Sequence, residues 1–392
     1  MKNIRLYLYL LVSVLCFCCN SNNKKAKFNT SFEDRYTLIE SDTKIIKPDS
    51  LTDPYKENHS FYEDLQKNKS YLYLLGRLDN SLQIYDWNTG NLISKVKLET
   101  RGPEGVGTVS SILAHNVDSV FILASYDLQL SLLNSSNKLL KKRSLIFSAD
   151  GKDRLGEGVF PSYKQSCPMF LVKNKMILGG YPSIDPSDKN YYTKGYTSMT
   201  LNLTNGKLSY FTKFPQDFID KDDNGYKLIS EQIYPSQAVN YSENTYLISY
   251  STADFIERIN LSTNKKEEYY AGGRSIDDIE WARKSMDVAK EFKYFVKQPN
   301  YSGVYYDKYR QIYLRVLDIP NPERIDEFDG RLWTRTIIII LDKNLKKVGE
   351  VPLPFTYSMP SIIIAKDGIY IRKYVEDENK MVFTCFKLEA KK

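Results

Sequence analysis

The sequence predicts an all-β protein, a β-propeller with six blades, on three observations. Tyrosine (31) and phenylalanine (18) are in excess over 392 residues, and aromatic side chains suit the pleated, half-buried surface of strands. From about Phe28 onward, short apolar runs alternate with turn clusters, a strand pattern rather than a helical one. A hairpin motif recurs five times. The composition agrees: 42% hydrophobic and 26% charged residues supply a large core and exclude a disordered chain. Ordinary Gly (19) and Pro (15) counts exclude collagen-like and low-complexity classes.

The N-terminus is an address. Lys2 and Arg5 precede an apolar run from Leu6 to Phe17, followed by Cys18, Cys19 and a polar Asn/Ser/Lys stretch, the layout of a signal peptide. The run is too short for the roughly 20 residues a spanning helix needs. A cysteine between an apolar run and a polar linker resembles the lipobox of bacterial lipoproteins, which implies a membrane anchor through an acylated thiol. Cys19 is the residue assigned, because small Cys18 precedes it; Cys18, with Leu15 three residues back, is the alternative. The competing reading is an ordinary cleaved signal with incidental cysteines. The chain then divides into a signal peptide (1–18), a lipidated linker (19–27) and a single propeller domain (28–392). The linker carries no acidic pair, which places the protein at the outer membrane facing the periplasm.

Loss of Lys2 and Arg5 lowers the formal charge from +7 to +5. No block of five or six basic residues occurs, so nucleic acid is not an expected partner. Beyond the leader only Cys167 and Cys385 remain, one disulfide at most, so the core must hold the fold.

Strands are expected at Tyr71–Leu75, Leu82–Asp86, Leu92–Leu98, Val120–Ala124, Gln129–Leu133, Lys175–Gly179, Ser198–Leu203 and Tyr246–Ser251. Later ones follow at Gln311–Val316, Thr336–Leu341, Ser361–Ile364, Ile369–Arg372 and Met381–Leu388. The repeated hairpin is Ile84-Tyr-Asp-Trp-Asn-Thr-Gly-Asn-Leu92, with copies at 132–139, 200–208, 259–265 and 340–348. Its Asn-Gly, Thr-Gly and Asn-Lys tips suit the positive φ such turns require. Tips at Gly90, Asn137, Gly206, Asn264 and Asn344 lie 47, 69, 58 and 80 residues apart, the spacing of propeller blades with inserted loops. A C-terminal hairpin from Ile369 to Leu388 makes six; seven blades or a two-domain β-sandwich are the alternatives. Tyr36–Ile39 or Lys44–Ile46 is positioned to complete the last blade. One helix is expected near 275–296, from Ser275 with Asp277 and Asp278 at its start and Ile279, Ala282, Met286, Ala289 and Phe292 on one face.

The lipobox-like start, the blade hairpins and the loop Arg101-Gly-Pro-Glu-Gly-Val-Gly107 together resemble the TolB-like six-bladed propeller lipoproteins of Bacteroidetes. The resemblance implies a propeller in the cell envelope and carries no catalytic residues with it.

Chemistry-bearing patterns are sparse. Residues 220–231 match D-x-[DN]-x-[DN]-G-x5-E, a calcium loop in which Asp220, Asp222, Asn224, the Tyr226 carbonyl and Glu231 would ligate the ion. Lys227 stands where an aliphatic is usual, and any polar turn carries a similar cluster. The Arg101–Gly107 loop lacks a P-loop ending and dinucleotide spacing; Arg101 and Glu104 are ligand-binding candidates, paired or pointed into the central channel. His59 and His115 have no companions at metal-ligand spacing, and no G-x-S-x-G elbow occurs. Tyrosines cluster at Tyr181, Tyr191–Tyr196, Tyr269–Tyr270 and Tyr301–Tyr309, half-buried strand residues or a platform for carbohydrate or peptide. Tyr181 and Tyr301 are the candidates named from them. A non-catalytic, lipid-anchored module binding an envelope protein or small ligand is the leading expectation. The rival is an envelope enzyme acting on a glycan through carboxylates near the channel.

Overall fold

The computed structural model describes residues 32–53, 58–146, 158–229, 232–274, 276, 279–321, 323, 334–357, 361–377 and 379–391. Six antiparallel sheets form the blades of a propeller. Blade 1 comprises His59–Asp64, Lys69–Gly76, Ser81–Asp86 and Leu92–Lys97; blade 2 comprises Ser111–Asn116, Ser119–Ala124, Gln129–Leu133 and Leu139–Ser144. In blade 3 the first strand is split into Val159–Pro161 and Phe170–Val172, followed by Lys175–Pro182, Tyr196–Asn202 and Leu208–Lys213. Blade 4 holds Ser236–Asn240, Thr245–Ser249, Phe255–Asn260 and Lys266–Tyr270, and blade 5 holds Asn300–Asp307, Ile312–Pro320, Thr334–Leu341 and Lys347–Pro352. Blade 6 takes Ile362–Ala365, Gly368–Lys373 and Met381–Ala390 from the C-terminus and its outermost strand, Tyr36–Ile46, from the N-terminus. The first strands touch one another between blades 1 and 2, 4 and 5, and 5 and 6, and so line the axis.

The middle strands bury both faces, and their sequence shows it. In Lys69–Gly76, Leu72 and Leu74 pack toward blade 6, while Tyr73 and Leu75 pack toward blade 2. The run Ile337 to Ile340 divides likewise: Ile338 and Ile340 face blade 6, Ile337 and Ile339 face blade 4. Six apolar clusters result, one between each pair of neighbouring blades. A strand packed on both sides needs no polar alternation, which is why these segments read so clearly.

The hairpin repeat joins the third and fourth strands of blades 1 to 5. An Asp or Asn opens each turn and its side chain accepts a backbone N–H: Asp86 from Thr89 (2.8 Å), Asn134 from Ser136 (3.0 Å), Asn202 from Thr204, Asn260 from Ser262 and Asp342 from Asn344 (2.9 Å each). Such side-chain turns are the physical basis of the motif. Positive φ falls at Gly90, Asn137, Gly206 and Asn264 as expected, but at Leu345 instead of Asn344 in blade 5. There Leu345 is buried in the core shared with blade 4, which offsets the roughly 1–2 kcal/mol of a left-handed leucine. Blade 6 has no such turn because its fourth strand is the N-terminal one.

The helix expected near 275–296 forms, but over a shorter stretch than its apolar spacing suggests. Only Val288–Phe295 is helical, started by Asp287, whose side chain accepts the Ala289 N–H at 3.0 Å. Ala282–Arg283 instead pairs as a strand with Tyr226–Lys227, while Ile279 and Trp281 are buried in different inter-blade cores. Those apolar positions anchor an extended segment, so their spacing mimicked a helical face. Ser275, Asp277 and Asp278 lie outside the described residues.

Ring closure depends on Tyr36–Ile46, paired with Met381–Ala390 from Tyr36↔Ala390 to Ile46↔Met381 with one bulge between Glu40 and Asp42. Ile46 is fully buried (0% exposed) against Leu72, Leu74, Tyr85 and Trp87 of blade 1 and Phe383 of blade 6, whereas Ile45 is 47% exposed. Ile46→Ala should therefore cost about 2–5 kcal/mol and Ile45→Ala under about 0.5 kcal/mol in denaturant titrations. Equal losses would contradict the assigned register.

Candidate functional site

Strand alternation sorts the loops onto two faces. First-to-second turns (65–68, 117–118, 173–174, 241–244, 308–311 and 366–367) and third-to-fourth turns (87–91, 134–138, 203–207, 261–265 and 342–346) are all short and share one face. Blade-to-blade connections emerge on the other, including 98–110, together with the second-to-third loop 183–195 and the described parts of 214–235 and 271–299. Among the described residues every long connection is thus on one face, the position where rigid scaffolds carry binding loops.

On that face the channel is plugged by blade 3. Between Pro161 and Phe170 the first strand leaves its sheet, so that residues 162–169 stand opposite only Leu178 and Gly179. The loop crosses the axis. The Gln165 side chain accepts the His59 N–H (2.9 Å) and donates to the His59 carbonyl (2.9 Å) on blade 1. Asn58 Nδ2 donates to the Tyr163 carbonyl at 2.5 Å and also to that of Ser110. On blade 4, the Gln237 N–H donates to the Ser166 carbonyl (3.1 Å) and its side chain to that of Pro168 (2.6 Å). Glycine is required beneath the plug: a Cβ on Gly179 would lie 2.4 Å from Gln237 Oε1, and one on Gly180 would lie 1.9 Å from the Phe160 carbonyl. The channel becomes a hydrogen-bonded floor.

Five aromatic rings stand on it. Tyr126, from the second-to-third turn of blade 2, stacks on Tyr163 of the plug (6.5 Å between centroids, 27° between planes). Tyr163 meets Tyr234, at the entry to blade 4, edge to face at 6.1 Å. Tyr234 meets Tyr181 at 5.2 Å, and Tyr181 meets Phe160 at 5.5 Å. Two cations join them: the Arg77 guanidinium, from blade 1, lies 5.6 Å from the Tyr163 ring centre, and Lys164 Nζ 4.4 Å from that of Tyr234. Partial burial raises the pKa of Tyr181 and Tyr234 above the ordinary phenol value, so both are neutral hydrogen-bonding groups at physiological pH.

Of the candidates named from sequence, only Tyr181 is in this cluster. Tyr301 is buried beneath the 271–299 connection, where it accepts the Gly273 N–H (3.1 Å) and stacks under the buried Arg315 guanidinium at 3.5 Å. Arg101 and Glu104 are exposed. Their loop is tied to blade 1 by Asn80, which donates to the carbonyls of Leu98 (2.8 Å) and Gly107 (3.2 Å). Lys142, on the outermost strand of blade 2, donates to the Gly102 carbonyl at 3.1 Å. The loop tip therefore lies beside the outermost strand of blade 2, away from the central channel that was one of the two placements expected for Arg101 and Glu104.

The calcium-loop expectation also meets a different backbone. Gln216–Asp223 is a helix, ended by Asn224 and by Gly225 at φ 82°, which turns Asp220 and Asp222 about 200° apart around its axis instead of wrapping them round one point. Asp222 pairs with Lys284 at 2.6 Å, Gln216 donates to Asp220 at 2.9 Å, and Arg283 lies over the Tyr226 ring. Among the described residues no three His, Cys, Asp or Glu side chains converge as a metal group; Glu231, like Cys18 and Cys19, lies outside them. Cys167 and Cys385 are both buried and unpaired.

Sequence reasoning missed Tyr126, Tyr163, Tyr234, Phe160, Arg77 and Lys164. A local signal existed for the plug alone: Pro161 and Pro168 bracket it and interrupt a strand.

Buried titratable groups serve stability. The Asp318 carboxylate, raised in pKa by burial, accepts from Thr336 Oγ1 at 2.8 Å. His59 Nε2 lies 2.9 Å from Ser361 Oγ and its Nδ1 has no partner among the described residues; burial, aided by Arg372, pushes its pKa down to about 3. Burial raises Glu257 to about 7 despite Lys266 at 2.8 Å. Stability from neutral His59 is present above its unfolded value of 6.5 and lost as pH falls toward 3, whereas that from Glu257 is present below 4.5 and lost as pH rises through 7. The stability advantage of wild type over His59→Gln, which removes only the first effect, should change by about 1.4 kcal/mol per pH unit below pH 6.5. A pH-independent difference in denaturant titrations would contradict the assignment.

A family model described as a domain of unknown function (DUF4221) matches residues 35–352. The fold superposes on a member of that family from Bacteroides vulgatus with a TM-score of 0.77 at 19% identity, covering 92% of this chain and 100% of that one. A protein of Bacteroides fragilis superposes with a TM-score of 0.51 at 12% identity, covering 93% of this chain and 98% of that one. No curated protein matches the sequence. At such identities the structural likeness concerns the fold alone. Because the family model runs from the residue before the ring-closing strand to the end of blade 5, the chain belongs to the DUF4221 family of six-bladed β-propellers.

Proposed function

We propose that this protein is a non-catalytic binding module of the cell envelope, a TolB-like lipoprotein anchored through Cys19, that takes a protein or envelope ligand on its insertion face. The observation that supports this reading is the aromatic cluster of Tyr126, Tyr163, Tyr181, Tyr234 and Phe160, assembled from blades 2, 3 and 4 on a plugged axis. Rigid rings with polar tips give contact area at low entropic cost. Hydrogen bonds from blades 1 and 4 hold the plug beneath them, so the platform is pre-organised, which favours binding. A glycan-cleaving enzyme would instead need two carboxylates facing a cleft, and the plug contacts are made by Asn, Gln and backbone groups. The anchor at the outer membrane, facing the periplasm, rests on the leader alone.

Cross-linking in native cells followed by mass spectrometry of co-isolated molecules tests both parts. A Tyr126→Ala/Tyr163→Ala variant should lose the dominant partner while still sedimenting with membranes, and Cys19→Ala should appear in the soluble fraction. An unchanged partner set in the tyrosine variant would overturn the binding face, and membrane retention of Cys19→Ala would overturn the anchor.

A further inference from the structure

We infer that the helix Val288–Phe295 is a second membrane contact, laying Val288 and Phe292 into the surface of an anionic phospholipid bilayer. This rests on the anchoring part of the proposed function and adds the surface that meets the lipid.

The helix is turned the opposite way to a packing element. Val288 is 75% and Phe292 50% exposed, while Glu291 is buried and pairs with Lys227 at 2.6 Å. Lys227, on the strand Tyr226–Lys227, also donates to the Met286 carbonyl at 3.4 Å. An ion pair thus occupies the inward side, which the apolar residues of a surface helix ordinarily fill. Val288 and Phe292, four residues apart, share one side and are held toward water. Apolar side chains kept in that position mark a contact surface.

Charge selects the partner. Lys290 and Lys293, with Lys297 just past the helix end, are exposed and come about 100–160° round the axis from Phe292. The carboxylates of the helix and its cap are engaged: Glu291 by Lys227, and Asp287 by the Ala289 N–H. The Glu280 charge reaches Tyr294, on the opposite side of the helix from Phe292. Exposed apolar residues flanked by lysines are the composition of helices that lie among anionic headgroups.

The chain end is the second argument. Phe32, the first described residue, lies 3.6 Å from the Arg274 guanidinium, ring centre to carbon, and Arg274 is on the same 271–299 connection as the helix. Cys19 is thirteen residues earlier, at most about 45 Å along an extended chain. An acylated Cys19 therefore keeps this connection beside the bilayer. None of the five rings of the aromatic cluster lies on it, so the lipid contact does not use them. Two apolar side chains and three lysines give a reversible contact, and an unanchored chain still leaves the membrane at physiological salt.

Co-sedimentation of the purified mature Cys19→Ala chain with vesicles tests the inference, using phosphatidylglycerol and phosphatidylcholine in equal parts beside pure phosphatidylcholine at low salt. The mixed vesicles should bind at least about tenfold more tightly, and Lys290→Gln and Lys297→Gln should each weaken that binding about fivefold. Val288→Ser/Phe292→Ser should abolish it, whereas Leu78→Ser, at a side chain 78% exposed in another loop, should leave it unchanged; melting temperatures confirm folded variants. Equal binding to both vesicles, no binding to the mixed ones, or full binding by the double variant would overturn the lipid contact. So would a concentration-dependent dimer that the double variant abolishes, which would assign Val288 and Phe292 to a second copy of the chain. These outcomes leave the anchor standing, since it fails only if Cys19→Ala stays on membranes in the cell experiment above.

Discussion

The pairing of Tyr36–Ile46 with Met381–Ala390 is the interaction on which the rest of the molecule depends. Each blade is apolar on both faces, so an open array would leave two faces in water. Joining strands more than three hundred residues apart costs about 5 kcal/mol of loop-closure entropy. That cost is offset by the two cores the closing blade completes, with blade 5 through Leu38 and with blade 1 through Ile46. Hydrogen bonds of the ladder fix the register, and burial of alternate side chains makes a one-residue slip expensive.

A closed ring then imposes a division of labour between its ends. The turn face is built from five repeated Asx turns and short hairpins, where any lengthening would disturb strand registry. The insertion face has no such restraint, and among the described residues every long connection lies there. Blade 3 goes furthest by giving up part of its innermost strand to the plug, with Gly179 and Gly180 making room. Tyr163 and Lys164 stand on that plug, Tyr181 lies near the end of the strand beside it, and Tyr126, Tyr234 and Arg77 come from blades 2, 4 and 1. The cluster exists only because the ring brings these turns together.

This explains what was legible in the sequence. Middle strands such as Gln129–Leu133 and Thr334–Leu341 were readable because both faces are buried, and the Asx turns because their chemistry is local. Innermost strands such as His59–Asp64 and Ser236–Asn240 were not, since they carry the polar residues that meet at the axis. Asp220 to Gly225 satisfied a ligand pattern while forming an ordinary helix end, and Ile279 and Ala282 satisfied a helical period while anchoring an extended segment. Tyr181 was found through tyrosine density. Tyr126, alone in its turn between two strands, carried no local signal, because its partners are set by blade geometry.

The central claim is that the insertion face, at the tyrosine cluster, is where this protein meets its ligand. The most direct measurement is site-specific photo-cross-linking in native cells, with benzoylphenylalanine placed at Tyr126 or, as a turn-face comparison, at Tyr241, which is 55% exposed between the first two strands of blade 4. The account predicts discrete adducts from position 126 and none from position 241. Adducts from position 241 with none from position 126 would contradict it and move the binding surface to the opposite face of the ring.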